Sequence, residues 1–146
     1  VNRRYTKYYY KDILVVSIDA NGEIEWTGKI NKNQETLNDF GIYSSYFLSV
    51  VGDQLMFMFN DDERNLVDTD NGVRTFSGSG GMLNMVVFDA SGDKTRYPVY
   101  FQGTREPLVR PGVSRQVDDE VLLYASFGRK QRIGRITLVP STADDE

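Results

Sequence analysis

The chain has 146 residues, of which 40% are hydrophobic and 26% charged, so its composition is that of one globular domain. Its formal net charge of -4 argues against a general surface for nucleic acid or anionic membranes. The sequence contains no Cys and no His, which excludes disulfides, cysteine-ligated zinc and a Ser-His-Asp triad within it. No apolar run approaches the roughly 20 residues of a membrane-spanning helix. We therefore expect a non-catalytic module that neither binds nucleic acid nor inserts into a membrane.

The first third of the sequence predicts a β-hairpin followed by a loop. The run DILVVSID at 12–19 predicts a strand, Asn21-Gly22 a tight turn, and the alternating segment 23–30 a second strand. Gly28 interrupts the apolar stripe of this second strand and predicts a bulge. The polar segment 31–43 predicts a long loop, in which 34–40 has the pattern of one helical turn.

In the rest of the sequence, apolar and polar residues also alternate with period two, which predicts an all-β protein. A polar, Gly-rich connection is predicted over 61–81. The predicted strands are 44–51, 54–60, 82–89, 94–102, 112–117, 120–127 and 131–139.

Two segments of the sequence are similar to each other. IDANG at 18–22 returns as FDASG at 88–92, at a spacing of 70 residues, and GDQLMF at 52–57 is similar to DDEVLL at 118–123, at a spacing of 66. Each unit would contain two antiparallel hairpins, and four-stranded units repeated around an axis form a β-propeller. A self-contained β-sandwich with two similar hairpins is the alternative.

The segment ILVVSIDANGEIEW at 13–26 resembles the blade motif of quinoprotein-type β-propellers. In that family an aliphatic strand ends in Leu-Asp, a Gly turn follows, and a Trp packs between neighbouring blades. The resemblance implies that Trp26 is a blade-docking residue. In the second copy Arg96 stands at the position of the Trp, with Tyr97 beside it. The motif carries no information about a quinone, and apart from the calcium candidate described below we expect no cofactor.

The chain also resembles the end of bacterial envelope propellers. Those proteins carry a Lys-x-Gln loop, a Tyr-Ser-Ser-Tyr strand and a Phe-Asn-Asp-x-x-x-Asn turn, which correspond here to 32–34, 43–46 and 59–65. The resemblance implies a location in the cell envelope or outside the cell. The sequence begins at Val1 without a Met or an apolar leader, and we interpret it as a processed chain or a piece of a longer protein.

The blade motif also predicts how the chain is divided. Residues 1–30 would form a partial blade, 44–102 a complete blade and 112–139 a second partial blade. Because a ring needs at least about four blades, we expect other polypeptide segments or protein subunits to complete the sheets. The run Ile13–Ile18 is almost wholly apolar, which favours a strand covered on both faces. Residues 1–30 and 131–139 are therefore predicted to lie at junctions with such segments.

Three groups of residues are candidates for binding sites. Asp68 and Asp70 alternate with other oxygen-bearing residues before Gly72, as in a calcium loop, although a solvated turn explains them as well. Tyr8, Tyr9 and Tyr10 could stack on sugar rings; alternatively Tyr8 and Tyr10 face a core and Tyr9 faces solvent. A basic cluster near the C-terminus could bind phosphate or protect an edge strand from pairing; it comprises Arg129, Lys130, Arg132 and Arg135.

These features predict a structural or protein-interaction module of a larger bacterial envelope or secreted assembly. The alternative is a carbohydrate-binding β-propeller module that uses tyrosines of 5–10 or the Tyr43 and Tyr46 region. A glycoside hydrolase that uses carboxylates alone is a third hypothesis. It is disfavoured because the acidic residues mostly lie in predicted turns, where burial does not tune their pKa.

Overall fold

The computed structural model describes residues 2–67 and 72–139, and in these ranges the fold is all-β, as predicted. The strands are β1 (Lys7–Tyr10), β2 (Ile13–Ile18), β3 (Ile24–Ile30), β4 (Gln34–Leu37), β5 (Phe47–Val51), β6 (Gln54–Asp61), β7 (Gly81–Phe88), β8 (Lys94–Gln102), β9 (Leu108–Val109), β10 (Arg115–Val117), β11 (Glu120–Phe127) and β12 (Lys130–Thr137). Two short 3-10 helices span Glu63–Leu66 and Pro111–Val113. In the described part of the chain, neither helix is long and apolar enough to cross a membrane.

The strands form four antiparallel sheets, none of which closes within the described ranges. The largest is the meander β5-β6-β7-β8. A second four-stranded sheet has the order β10-β11-β12, with β9 also paired to β11. Two further sheets have two strands each, β2-β3 and β1-β4.

Three of these sheets pack face to face, with the β5–β8 sheet in the middle. One of its faces packs against β2 and β3 through an apolar cluster of Ile13, Val15, Ile30, Phe57, Phe59, Val86 and Phe88. The other face packs against the β9–β12 sheet through Val51, Met56, Met58, Leu83, Val87, Val109, Val121, Leu123 and Leu138. Because β6 and β7 are covered from both sides, their sequences are nearly continuous apolar runs rather than alternating ones.

The hairpin β2–β3, hereafter hairpin 1, differs from the expectation that both faces of its first strand are covered. Ile13 and Val15 are buried against the middle sheet, whereas Leu14 and Val16 on the opposite face are exposed. The burial of β2 therefore alternates along the strand. The described residues cover one face of hairpin 1 and leave the other open.

The predictions for residues 34–40 and for Gly28 were wrong. Residues Gln34–Leu37 form β4, which pairs with β1, rather than a helical turn. The strand buries polar side chains, so it lacks the apolar stripe that would have revealed it. The bulge in hairpin 1 falls between the pairs Ser17–Trp26 and Ile18–Ile24, which leaves Glu25 as the extra residue. Gly28 instead makes room for a ring, because a Cβ there would overlap Phe88.

Candidate functional site

Trp26 lies at the contact between hairpin 1 and the middle sheet. Its ring stacks on Phe88 of β7 with the ring centroids 5.5 Å apart and the planes 12° from parallel. Its indole Nε1 donates to the carbonyl oxygen of Ala90 at 3.0 Å, in the turn between β7 and β8. Trp26 thus joins two neighbouring sheets, and its role as a blade-docking residue stays a prediction.

Arg96 of the hairpin β7–β8, hereafter hairpin 2, stands at the position equivalent to Trp26 of hairpin 1 and makes a partly buried ion pair. Its Nη1 lies 3.0 Å from Oδ2 of Asp61, and the guanidinium carbon is 5.9 Å from the centroid of the Phe59 ring. Its Nη2 also donates to the carbonyl oxygen of Asn31 at 3.4 Å. Arg96 therefore faces hairpin 1, not the β9–β12 sheet.

The three tyrosines of β1 do not form one stacking platform. Tyr9 is exposed, and the ammonium groups of Lys7 and Lys11 lie 5.8 and 5.4 Å from its ring centroid. Tyr8 and Tyr10 are half-buried and point to the other face of the strand. The arrangement is the one expected if Tyr8 and Tyr10 face the interior and Tyr9 faces solvent.

Asp68 and Asp70 lie outside the described residues. Over residues 2–67 and 72–139, no three acidic side chains converge in the way that a metal site requires. In the basic cluster, Lys130 and Arg132 both pair with Glu106, at 3.1 and 3.2 Å.

A set of buried polar side chains, which we call the polar cluster, lies where the middle sheet meets β4 and β9. Its members are Lys32, Gln34, Asn60, Asp61, Asn65, Asn84 and Gln102. Nδ2 of Asn60 donates to the carbonyl oxygens of Tyr43 at 2.9 Å and Val109 at 2.7 Å. Nε2 of Gln34 donates to the carbonyl oxygen of Asn60 at 2.8 Å. These bonds fix loop backbone on both sides of the cluster.

The charges of the polar cluster are partly compensated. Oδ1 of Asp61 accepts from Nδ2 of Asn65 at 2.7 Å, in addition to the ion pair with Arg96. Burial nevertheless raises the pKa of Asp61 above its ordinary value of 3.8, and Asn65 and Arg96 oppose that rise. Nζ of Lys32 donates to the carbonyl oxygen of Tyr10 at 3.1 Å and to Oε1 of Gln34 at 2.9 Å. Burial lowers the pKa of Lys32 to about 8, although Asp61 and Asp12 counteract part of this effect.

Sequence reasoning missed the polar cluster, although its residues were in view. The three motifs at 32–34, 43–46 and 59–65 all contribute to the cluster or to the backbone that it holds. Lys, Gln, Asn and Asp in a polar stretch predict a solvated loop. The signal that could have located the cluster is that these residues lie beside apolar strands rather than between turns.

The outer face of hairpin 1, opposite the middle sheet, is apolar and exposed. Four apolar side chains share this face; they are Leu14, Val16, Ile18 and Ile24, with exposures of 74%, 51%, 60% and 65%. In the described part of the chain, β2 and β3 pair only with each other. Hairpin 1 therefore presents an apolar face and two sheet edges together.

No protein-family model, curated protein or solved structure matches this chain.

Proposed function

We propose that the chain is a non-catalytic protein-interaction module, and that the outer face of hairpin 1 is where another β-sheet packs. The observation that carries this proposal is the exposure of four apolar side chains on one face of a hairpin with open edges. Contiguous apolar surface of this kind commonly marks an interaction site in a soluble domain.

The stack itself indicates what covers this face. Val16 and Ile18 of hairpin 1 stand at the positions that Val86 and Phe88 occupy in hairpin 2. Val86 and Phe88 are 0% and 1% exposed because hairpin 1 packs over them. The occupant that continues this pattern is a further β-hairpin, with an aromatic ring placed on Ile18 as Trp26 is placed on Phe88.

The gain from covering the face is large on the scale of protein stability. A fully buried Val, Leu or Ile side chain contributes about 1.5–3 kcal/mol relative to its exposed state, so four would contribute several kcal/mol. A small domain is stable by only roughly 5–15 kcal/mol. The edges of β2 and β3 are a separate feature, and they would accept a strand added in the plane of this sheet.

The finer form of the proposal is a partial β-propeller. Sheets stacked face to face, a four-stranded antiparallel meander in the middle and a Trp between two sheets are features that propeller blades have. In this form the β5–β8 sheet is a complete blade, and hairpin 1 is the outer half of the blade before it. The envelope or secreted location is proposed from the resemblance alone.

The test compares the wild type with a chain in which the outer face is charged. We expect wild-type protein to bind the apolar dye 8-anilinonaphthalene sulfonate and to self-associate as concentration rises in analytical ultracentrifugation. The double variant Leu14→Lys, Val16→Lys should lose both properties and keep its fold by circular dichroism. Ile133→Lys is the matched control, because Ile133 on β12 is also exposed, at 81%, but lies on another sheet. The proposal fails if the wild type neither binds dye nor associates, or if the control variant changes as much as the double variant.

A further inference from the structure

Arg110 is a half-buried arginine with an unusual lack of partners. Of the arginines that the structure describes, only Arg96 and Arg110 are not fully on the surface. Arg96 is paired with Asp61, whereas Arg110 makes no ion pair with any described residue. Its guanidinium lies 5.6 Å from the centroid of the Tyr124 ring, and its Nε is buried with no hydrogen-bond partner among the described groups. Because the guanidinium has no carboxylate partner among the described residues, its terminal nitrogens are the groups that an anion would engage.

The side chain of Arg110 lines a cleft of ≈ 340 Å³ beside the polar cluster, which we call the Arg110 cleft. Its lining residues are Tyr10, Gly41, Ile42, Ser44, Ser45, Tyr46, Arg110, Gly112 and Val113. None of these is acidic, although the whole chain has a net charge of -4. The cleft therefore has a local positive charge on an otherwise acidic protein, which favours anionic ligands over cationic ones.

A second polar group of the cleft is also without a partner. Ser44 is 2% exposed, and its Oγ makes no hydrogen bond with the residues that the structure describes. A buried hydroxyl in this state costs free energy, so it is normally satisfied by water or by a ligand. The two unsatisfied groups, Ser44 Oγ and Arg110 Nε, belong to residues that line the same cleft.

The polar cluster holds two segments of the cleft lining in place. Nδ2 of Asn60 donates to the carbonyl oxygen of Tyr43, next to Ser44, and to that of Val109, next to Arg110. Oε1 of Gln34 accepts from the backbone nitrogen of Ser45 at 2.8 Å, which holds Ser45 in the left-handed region at φ 71. A site whose walls are fixed before binding loses less conformational entropy when a ligand enters.

From these features we infer that the Arg110 cleft binds a carboxylate-bearing sugar. One guanidinium matches the single charge of a carboxylate, whereas a phosphate dianion is usually held by more than one cation. Tyr10 and Tyr46 also line the cleft, and tyrosine is a residue type that recognises sugar rings. The volume is near the lower end of ligand sites, which are about 300–1,000 Å³, so it suits a single sugar unit.

The test is an NMR titration of isotopically labelled protein with D-glucuronate. The parallel titrations use D-glucose, acetate, inorganic phosphate and N-acetyl-glycylglycine, which carries a peptide carboxylate. We expect glucuronate to shift the amide signals of Ser45, Tyr46 and Arg110, and to bind more tightly than each of the other four. Preference for phosphate or for the peptide, equal binding of glucose, or no shift with any of the five would overturn the inference.

Variants assign the effect to Arg110. Arg110→Met should weaken glucuronate binding by at least about tenfold, because it removes the charge-assisted hydrogen bonds. Arg110→Lys keeps the charge but not the planar fork, so its loss should be intermediate. It also serves as the test if Arg110→Met does not fold. Arg105→Met is the matched control on an exposed arginine outside the cleft and should leave binding unchanged. Unchanged affinity in both Arg110 variants would contradict the assignment.

Discussion

Hairpin 1 and hairpin 2 have turns of the same structure, and they differ in the strand that follows the turn. In hairpin 1, Oδ1 of Asp19 accepts from the backbone nitrogens of Asn21 and Glu23, at 2.8 and 2.9 Å. In hairpin 2, Oδ1 of Asp89 accepts from the corresponding nitrogens, both at 2.9 Å. The turn glycines Gly22 and Gly92 have φ of 86 and 85. The turns are therefore built in the same way, and the difference lies in the strands.

The two hairpins differ by a single extra residue in the second strand of hairpin 1. Hairpin 1 has a bulge at Glu25, so Trp26 pairs with Ser17 and faces the middle sheet. Hairpin 2 has no bulge at this point, and Arg96 pairs with Val86, on the face toward hairpin 1. Because side chains alternate along a strand, a shift of one residue sends equivalent positions to opposite faces. The two equivalent positions therefore hold a stacking Trp26 in hairpin 1 and, on the opposite face, the partly buried ion pair of Arg96 in hairpin 2.

The largest expected contrast is between the equivalent residues Phe88 and Ile18. Phe88→Ala removes a ring that is 1% exposed and contacts both Trp26 and Phe57, so it should lower the free energy of unfolding by about 3–5 kcal/mol. Ile18→Ala, on the open face of hairpin 1, should change it by less than about 0.5 kcal/mol. Urea unfolding of the two variants measures the contrast. A comparable loss in both would mean that the outer face is already covered in the isolated chain.

The second contrast concerns the ion pair that replaces the aromatic contact. Arg96→Met leaves Asp61 buried without its cation, which should cost about 3–5 kcal/mol at neutral pH. Since the folded pKa of Asp61 is raised, its protonated form is the stabilising one, and the loss should shrink as the pH falls toward that pKa. Unfolding at neutral and mildly acidic pH measures this. The double variant Arg96→Met, Asp61→Asn should recover part of the loss, and a simple sum of the two single effects would argue against coupling.

A third contrast lies where each hairpin reaches the polar cluster, at Lys32 after hairpin 1 and Gln102 at the end of hairpin 2. The folded pKa of Lys32, about 8, is below its ordinary value of 10.5, so the unfolded chain binds more protons between these two pH values. The unfolding free energy should therefore rise with pH in this window, by on the order of 1–3 kcal/mol relative to Lys32→Met. Gln102 does not titrate, so Gln102→Leu should leave the rise in place. A flat difference between wild type and Lys32→Met from pH 8 to 10.5 would contradict the burial of the charged amine.

The smallest contrast compares the stability cost of alanine at the two turn glycines, of which only Gly92 contacts Trp26. Gly22 and Gly92 have the same backbone conformation, so alanine at either site has a similar conformational cost of about 1–2 kcal/mol. A Cβ at Gly92 would also lie 2.7 Å from the Trp26 ring, whereas nothing lies within 4 Å of one at Gly22. Gly92→Ala should therefore be less stable than Gly22→Ala by about 1–2 kcal/mol, as measured by thermal unfolding. Adding Trp26→Leu to both chains should remove the difference.

Alternation and turn residues were sufficient to predict most strands of the middle sheet. The runs that became β6 and β7 were found because each is bounded by turn residues and dominated by apolar side chains. The sequence did not predict β4, because Gln34 and Thr36 are polar and their burial depends on partners from distant segments. The bulge at Glu25 was missed for a different reason. The pairing of Trp26 with Ser17 depends on the fit to Phe88, which is far away in the sequence.

The candidate sites were predicted less well than the strands. Trp26 was singled out by the resemblance to the blade motif; it lies between two sheets, and its role as a blade-docking residue stays a prediction. Arg110 was not singled out, because its significance comes from the absence of an acidic neighbour among the described residues of the folded chain, and no local pattern encodes that. The strand β2 was predicted to be covered on both of its faces, and the described residues cover one of them.

The central claim is that hairpin 1 is open in the isolated chain and is completed by another sheet. Amide hydrogen exchange of the dilute, monomeric protein, measured at each residue, tests it most directly. The outward-facing amides of β2 and β3 should exchange orders of magnitude faster than those of β6 and β7, which are paired on both sides. Protection of β2 and β3 equal to that of β6 and β7 would show that the hairpin is already complete, and it would contradict the account.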